Sequence, residues 1–421
     1  MSEPGTVLPH TSDHRVSPAG GVALSSGGLM ALLALVTGVQ ALATFAVLAL
    51  PTLATKAAPA FGFGAETAGY QIGVVYSAAA TLSSFAGLAV RRLGAVRVSV
   101  MALVLSASGI GCLAMGRLGL AVLGSLLIGA AYGLTNPAAS HLLFRFAPRH
   151  RQNLIFALKQ TGVPLGGVLA AMLLPALTTR FGWQGAMLVG ATLPLLLAVP
   201  LWLVGARLDD DRDPKARLST GGLAGVRTVV AHGRLRGLAV MGCTYAILQF
   251  CLFAFLITML VEDFAWGLVA AGGMATLMQV GGVLGRIGWS LLADRIGHAA
   301  GILVGVGLLS ALCALMLAVA TPAWPVTALT ALLFVFGFSI VGWNGLWMAE
   351  IARTSAPGEV GLATGGVLVF TYAGLALGPA AFATVYKFTG SYGTTFALFA
   401  TFALIGAVAL TLATRAPRGR P

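Results

Sequence analysis

Two cations, Lys159 and Arg286, stand inside long apolar stretches of this 421-residue chain, the first in IFALKQTGVPLGG (155–167) and the second in GRIGWSLLAD (285–294). An ion in hydrocarbon is costly and usually faces a cavity, so its type indicates what it serves. Arginine's planar fork grips a carboxylate through two bonds and keeps its charge, whereas lysine brings a point charge whose pKa falls readily on burial. The twelve acids (Glu3, Asp13, Glu66, Asp209, Asp210, Asp211, Asp213, Glu262, Asp263, Asp294, Glu350 and Glu359) lie in tails, loops or helix ends, so no carboxylate is expected at depth. A buried pair of cations without a buried acid repels itself when empty and is neutralised by a bound anion. The residues point to Arg286 as the anchor of a small organic anion, with Lys159 assisting. Two alternatives stay open: a purely structural Arg286, and a Lys159 that extends to the membrane surface along its alkyl stem.

Uncharged polar residues in the same stretches are candidates to complete the cavity: Gln40, Tyr132, Asn136, Gln160, Tyr245, Gln249, Gln279, Asn344 and Tyr372. Interhelical hydrogen bonding is the ordinary role for each. Asn136 and Asn344 stand out because they recur at matching places in the two halves of the chain. Asn136-Pro137 is expected to break its helix locally and free backbone groups toward a cavity. If a proton is carried, the candidates are His141, Lys159 or the carboxylate of the ligand itself.

These residues must be held by membrane-spanning helices. The chain is 58% hydrophobic and 9% charged, its mean hydropathy is +0.93, and a helix needs roughly 20 apolar residues to cross about 30 Å of hydrocarbon. Twelve such stretches follow one another, which predicts an all-α membrane protein of two six-helix bundles. The expected division is a tail at 1–26, a bundle at 27–205, a linker at 206–236, a second bundle at 237–414 and a tail at 415–421. The 56 glycines read as helix-packing surface.

A net charge of +13 would suit nucleic acid, but the placement of the cations excludes that reading. With the N-terminus inside, 19 of the 25 Lys and Arg fall in inside segments: Arg15, Arg91, Arg92, Arg97, Arg145, Arg149, Arg151, seven from Arg207 to Arg236, Arg295, Arg353, Arg415, Arg418 and Arg420. That bias places both termini in the cytoplasm. No cleaved signal is read at the N-terminus. The four cysteines, Cys112, Cys243, Cys251 and Cys313, lie in predicted helices without metal-ligand spacing. No nucleotide-binding glycine loop, zinc-protease motif or nucleophile elbow occurs, so neither an enzyme nor a cofactor is expected.

The halves resemble each other. RRLG (91–94) pairs with DRIG (294–297), Asn136 and Arg145 pair at constant spacing with Asn344 and Arg353, and TGVPLGG (161–167) pairs with AGLALGP (373–379). A duplicated six-helix unit suits a carrier whose bundles rock about a central site. With its six-plus-six plan and the short-loop signature of glycine, three residues, Asp-Arg, one residue, glycine, the chain resembles the major facilitator superfamily from about Gly27 to Thr414. The second-half signature reads Ser290, Asp294, Arg295 and Gly297, while the first reads Gly87, Arg91, Arg92 and Gly94, with arginine where the family has aspartate.

The resemblance implies that the fifth and eighth helices are neighbours between the halves, placing Lys159 and Arg286 on one cavity. It also implies cytoplasmic gating by Asp294, Arg295 and Gly297, by Arg91, Arg92 and Gly94, and by Glu350 and Arg353 near them. GRIGWSLLAD is similar to the eighth-helix region of monocarboxylate and oxalate/formate carriers, which implies inner-membrane transport of a mono- or dicarboxylate by proton symport or anion exchange, with a monomer as the default. Two other readings are a drug/proton antiporter of the same superfamily and a non-transporting sensor. Against export, Val163 separates Gly162 from Pro164, and Ser125 stands where such exporters carry an arginine.

Overall fold

The computed structural model describes residues 25–148, 152–215, 222–356 and 359–415, so most of the two terminal tails lies outside the described residues. In hydrocarbon every backbone N–H and C=O must be paired within the protein, which a helix does by itself. The helices are α1 (Ser26–Thr52), α2 (Ala54–Ala57), α3 (Ala68–Leu93), α4 (Ala95–Ala114), α5 (Leu118–Phe146), α6 (Gln152–Gln160), α7 (Gly162–Leu208), α8 (Gly222–Ala231), α9 (Gly233–Glu262), α10 (Leu268–Ile296), α11 (Ala299–Ala318), α12 (Val326–Ile340), α13 (Asn344–Thr354), α14 (Val360–Thr389) and α15 (Tyr392–Arg415).

Twelve crossings result, for three reasons. First, α7 is 47 residues long and turns at Gly182, whose φ of 65° and ψ of 172° lie where only glycine sits easily. It therefore supplies the rest of the fifth crossing and all of the sixth. Second, α6 and α7 are separated only by the turn at Thr161. Third, α12 and α13 share the tenth crossing across a turn at 341–343. One face, where α3, α5, α10, α13 and α15 end, gathers Arg91, Arg92, Arg145, Arg295, Arg353 and Arg415 and is the basic face.

Three local expectations change. The fourth crossing, α5, runs unbroken through Pro137, because a proline removes one helical bond and flanking helices can hold both sides. Its counterpart in the second half, which has no proline, is the one that breaks, just before Asn344. There Gly342 lies against Gly285 and the Phe338 carbonyl, and Gln249 on α9 accepts from the side chains of Trp343 and Asn344 at the turn. The linker is also not all irregular: it contains α8, and Gly225 packs against the α14 backbone at Leu362. The seventh crossing starts at Gly233, four residues before the expected start of the second bundle at 237.

The halves meet along two seams. In one, α3 lies on α14: a Cβ on Gly69 would come within 2.2 Å of the Pro379 carbonyl and one on Gly73 within 2.9 Å of that of Ala376. Tyr70 and Thr384 share a 2.9 Å hydroxyl contact nearby, so this closure sits toward the face opposite the basic one. In the other seam α7 lies on α10, with Gly272 against the Ala171 carbonyl and Gly167 against Gln279.

Because backbone cannot yield to a side chain, Gly69→Val should prise α3 from α14 at that face. With the four native cysteines replaced by alanine and Thr384→Cys added, labelling by a membrane-impermeant maleimide should speed up several-fold over the glycine parent.

Candidate substrate-binding site

Lys159 is in the last turn of α6 and only 2% exposed. It does not extend to the surface: its Nζ donates to Gln40 Oε1 on α1 at 2.9 Å and to Asn136 Oδ1 on α5. Asn136 in turn donates to the Tyr372 hydroxyl on α14 at 3.5 Å, so the polar chain crosses from the first bundle to the second. The Thr135 hydroxyl faces Gln40 Oε1 at 3.4 Å, and Gln40 Nε2 is buried with no partner.

Arg286, on α10 and 8% exposed, donates through Nη1 to the backbone carbonyl of Gln160 at 2.7 Å. The sequence supplies the reason. In a continuous helix that carbonyl would accept from the N–H of residue 164, but residue 164 is proline and has none. An unpaired carbonyl in hydrocarbon needs a donor from elsewhere, and an arginine of the opposite bundle provides it. The Nε of Arg286 remains buried and unpartnered.

Among the described residues no carboxylate lies within ion-pair distance of Lys159 or Arg286. The two buried acids are engaged elsewhere: Asp209 accepts from backbone at the start of α4, and Glu350 pairs with Arg353 at 3.1 Å and with Arg234 at 4.0 Å.

Around this pair stand aromatic and amide groups. Tyr76 meets Tyr132 edge-on at 5.2 Å and Phe250 at 5.0 Å. Gln279 is buried beside Gly167 with a free Oε1. In the second half Gln249 Oε1 accepts from Trp343 Nε1 at 2.9 Å and from Asn344 Nδ2 at 3.4 Å, as Gln40 Oε1 accepts from Thr135 in the first. Tyr245 stands apart: its hydroxyl donates to the Leu303 carbonyl at 2.9 Å inside the second bundle. Tyr76, Thr135 and Trp343 were not anticipated. Trp343 was findable as the neighbour of Asn344, while nothing in its local sequence marks Tyr76.

The gating candidates are arranged differently from the family expectation. Asp294 and Arg295 are exposed, and among the described residues neither forms an ion pair. Gly297 caps α10 with a φ of 70° and Gly94 turns from α3 into α4 with a φ of 100°. Charge pairing on the basic face runs through Glu350 in the second half and through the acids that follow α7 in the first. Asp209 accepts from the Val96 and Arg97 N–H groups at 2.9 and 3.0 Å, capping α4 from a distant part of the chain. Asp210 and Asp211 pair with Arg145 at 2.6 and 3.1 Å, and His141 meets Asp211 at 2.7 Å. The Asp213 N–H donates to the carbonyl of Arg91. The first-half loop lacks its aspartate, and this run supplies acid to the same place.

The hydrogen bond from Arg145 holds the Asp210 carboxyl below the usual carboxylate range. A lowered folded pKa means the interaction is present above the unfolded value and fades only as pH falls through the folded one, so the clasp stays charged at neutral pH.

The chain matches the Major Facilitator Superfamily over residues 30–357 and 238–421. It is 26% identical to the "MFS transporter asaE" of Aspergillus flavus over 68% of this chain and 63% of that protein, and 28% identical to "Probable anion transporter 5" of Arabidopsis thaliana over 43% and 42%. A shorter stretch is 34% identical to a gallate transporter of Pseudomonas putida, over 18% of this chain and 17% of the relative. The alignments thus span less than two thirds of these relatives. Among solved structures it superposes on a peptide transporter in complex with sulfate with a TM-score of 0.73 at 13% identity, covering 94% of this chain and 97% of that one. A bacterial homologue of the human lysosomal transporter Spinster, in an inward-facing state, gives 0.69 at 14% identity over 94% and 100%. The paired six-helix bundles make a multi-pass membrane protein. The chain belongs to the Major Facilitator Superfamily.

An N-cap carboxylate contributes about 1 kcal/mol, and Asp209 satisfies two N–H groups. Asp209→Ala should therefore lower the midpoint of thermal unfolding in detergent, whereas Asp213→Ala, which leaves its backbone bond intact, should leave the midpoint close to wild type.

Proposed function

We propose that this protein is a secondary transporter of a small organic anion, a mono- or dicarboxylate, working by alternating access in the inner membrane with its basic face and both termini in the cytoplasm. The observation that carries this is the buried pair Lys159 and Arg286, held only by neutral acceptors. A charge taken out of water costs several kcal/mol unless paired, and a carboxylate entering between the bundles supplies the missing counter-charge. Relatives named as an anion transporter and a gallate transporter support the same reading.

Arg286 is the anchor and Lys159 the adjustable second charge, with Gln40, Asn136, Gln160, Tyr132, Tyr372, Gln249, Asn344 and Gln279 lining the path. A carboxylate is a stronger partner for guanidinium than a backbone carbonyl is. Substrate therefore displaces Gln160 from Arg286, and because these residues belong to opposite bundles the exchange loosens one contact between them. The gate comprises Asp294, Arg295, Gly297, Arg91, Arg92, Gly94, Glu350 and Arg353, working with the clasp around Arg145. Proton symport and anion exchange are the two coupling modes this site allows, and the working unit is a monomer.

The test is uptake into proteoliposomes of a panel of labelled carboxylates beside cationic drugs. Arg286→Ala should cut carboxylate uptake by roughly 10–100-fold, the worth of a hydrogen bond to a charged group, with Arg286→Lys recovering part of it. Movement of cationic or neutral compounds alone, indifferent to Arg286→Ala, would overturn the anion site in favour of a drug/proton antiporter.

A second variant separates the latch from the charge. Pro164→Ala returns an N–H to the Gln160 carbonyl and frees Arg286, so a transported carboxylate should bind about fivefold tighter, equivalent to about 1 kcal/mol, as read by isothermal titration.

A further inference from the structure

A second cavity, of about 320 Å³, lies at the face opposite the basic one, between the end of α1 and the starts of α3 and α5. That volume is within the range of small-molecule sites. Its walls are mainly apolar, and Phe63, Leu118 and Val122, which line it, are 48%, 53% and 46% exposed. The cavity therefore opens sideways, where the helix ends meet the lipid.

Thr67 and Ser125 in the lining are bonded to nearby backbone carbonyls, but two other polar features are not so settled. Gln71 is 9% exposed, and both its amide nitrogen and its amide oxygen are buried without a partner. An amide left this way costs about 1–3 kcal/mol for each group, yet it lines a cavity with room for something to bind it. At the rim, Lys387 of the second bundle lies 5.1 Å from the ring centroid of Tyr70 in the first. Among the described residues Lys387 has no acidic partner within 4 Å, although Glu66, Glu262 and Asp263 share this face.

We propose that the cavity binds one anionic phospholipid of the adjacent leaflet. Its phosphate sits on Lys387, a headgroup hydroxyl donates to Gln71 Oε1, an ester oxygen accepts from Gln71 Nε2, and the start of an acyl chain fills the space between α3 and α5. The position suits a headgroup, because Lys387 is two residues from the end of α14 and the aromatic rings Phe61, Phe63 and Tyr70 stand at the same level, as rings do at membrane interfaces. Since Lys387 and Tyr70 belong to different bundles and flank the α3–α14 seam, a lipid held between them favours the state in which this face is closed. The site is independent of the central cations and of the transported solute.

The experiment uses the full-length protein in nanodiscs of phosphatidylcholine with and without phosphatidylglycerol. Native mass spectrometry counts retained lipid, and thermal unfolding reports its effect. Wild type should retain one phosphatidylglycerol and gain several degrees in midpoint when that lipid is added; Lys387→Gln and Gln71→Leu should lose both, and Lys387→Arg should keep both.

Gln71→Leu separates a ligand group from a merely frustrated one. Removing an unpaired buried amide should raise the midpoint in phosphatidylcholine alone while abolishing the further gain from phosphatidylglycerol. If Gln71→Leu and Lys387→Gln keep that gain and retain the lipid as wild type does, the site is refuted. Equal retention of phosphatidylcholine would refute its preference for an anionic head, and protection by soluble glycerol phosphate alone would make it an anion site rather than a lipid site.

Discussion

Hydrocarbon offers no hydrogen-bond partner, and the centre of this protein follows from that constraint. Pro164 deprives one carbonyl, that of Gln160, of its helical donor, and Arg286 from the facing bundle fills the gap. An arginine in such a place would otherwise be a charge without a purpose. Here it closes a defect in one bundle while its Nε donor, among the described residues, stays unsatisfied. The arrangement is complete enough to fold and incomplete enough to receive a ligand.

The same constraint explains the repeated use of amides. Gln40 serves the first bundle as Gln249 serves the second, each on the first helix of its half, and each accepts from a residue at the corresponding fourth or tenth crossing. The duplication has diverged where the charges lie. Lys159 joins the first network and no cation joins the second, so the site is lopsided: the lysine comes from one half and the arginine from the other.

Much of this was legible in the sequence. Twelve apolar stretches, one long polar linker and the asymmetric placement of cations suffice for the bundles, because in a membrane the hydropathy pattern nearly is the fold. Lys159, Arg286, Asn136 and Asn344 were legible as polar exceptions in apolar surroundings. What was not legible is pairing across distance. The capping of α4 by Asp209, the partner of Lys159 at Gln40 and the isolation of Tyr245 all depend on which helices touch, and a local pattern carries no record of that. Pro137 misled for a related reason: a proline announces a lost bond but not whether neighbours compensate, and the break fell instead in the tenth crossing, whose two helices contain no proline.

The cap on α4 has a bearing on how the chain is made. Val96 and Arg97 wait for a carboxylate 113 and 112 residues further on, so a third helix already inserted in the membrane keeps two bare amide groups at its end until the sixth has been synthesised and the first acidic residue beyond it has emerged from the ribosome. The first bundle is thus fastened last, by a residue that belongs to the connector. A gene split to express the two halves separately must be cut after this acidic run and not before it, or the first half will be released with its fastening on the wrong fragment.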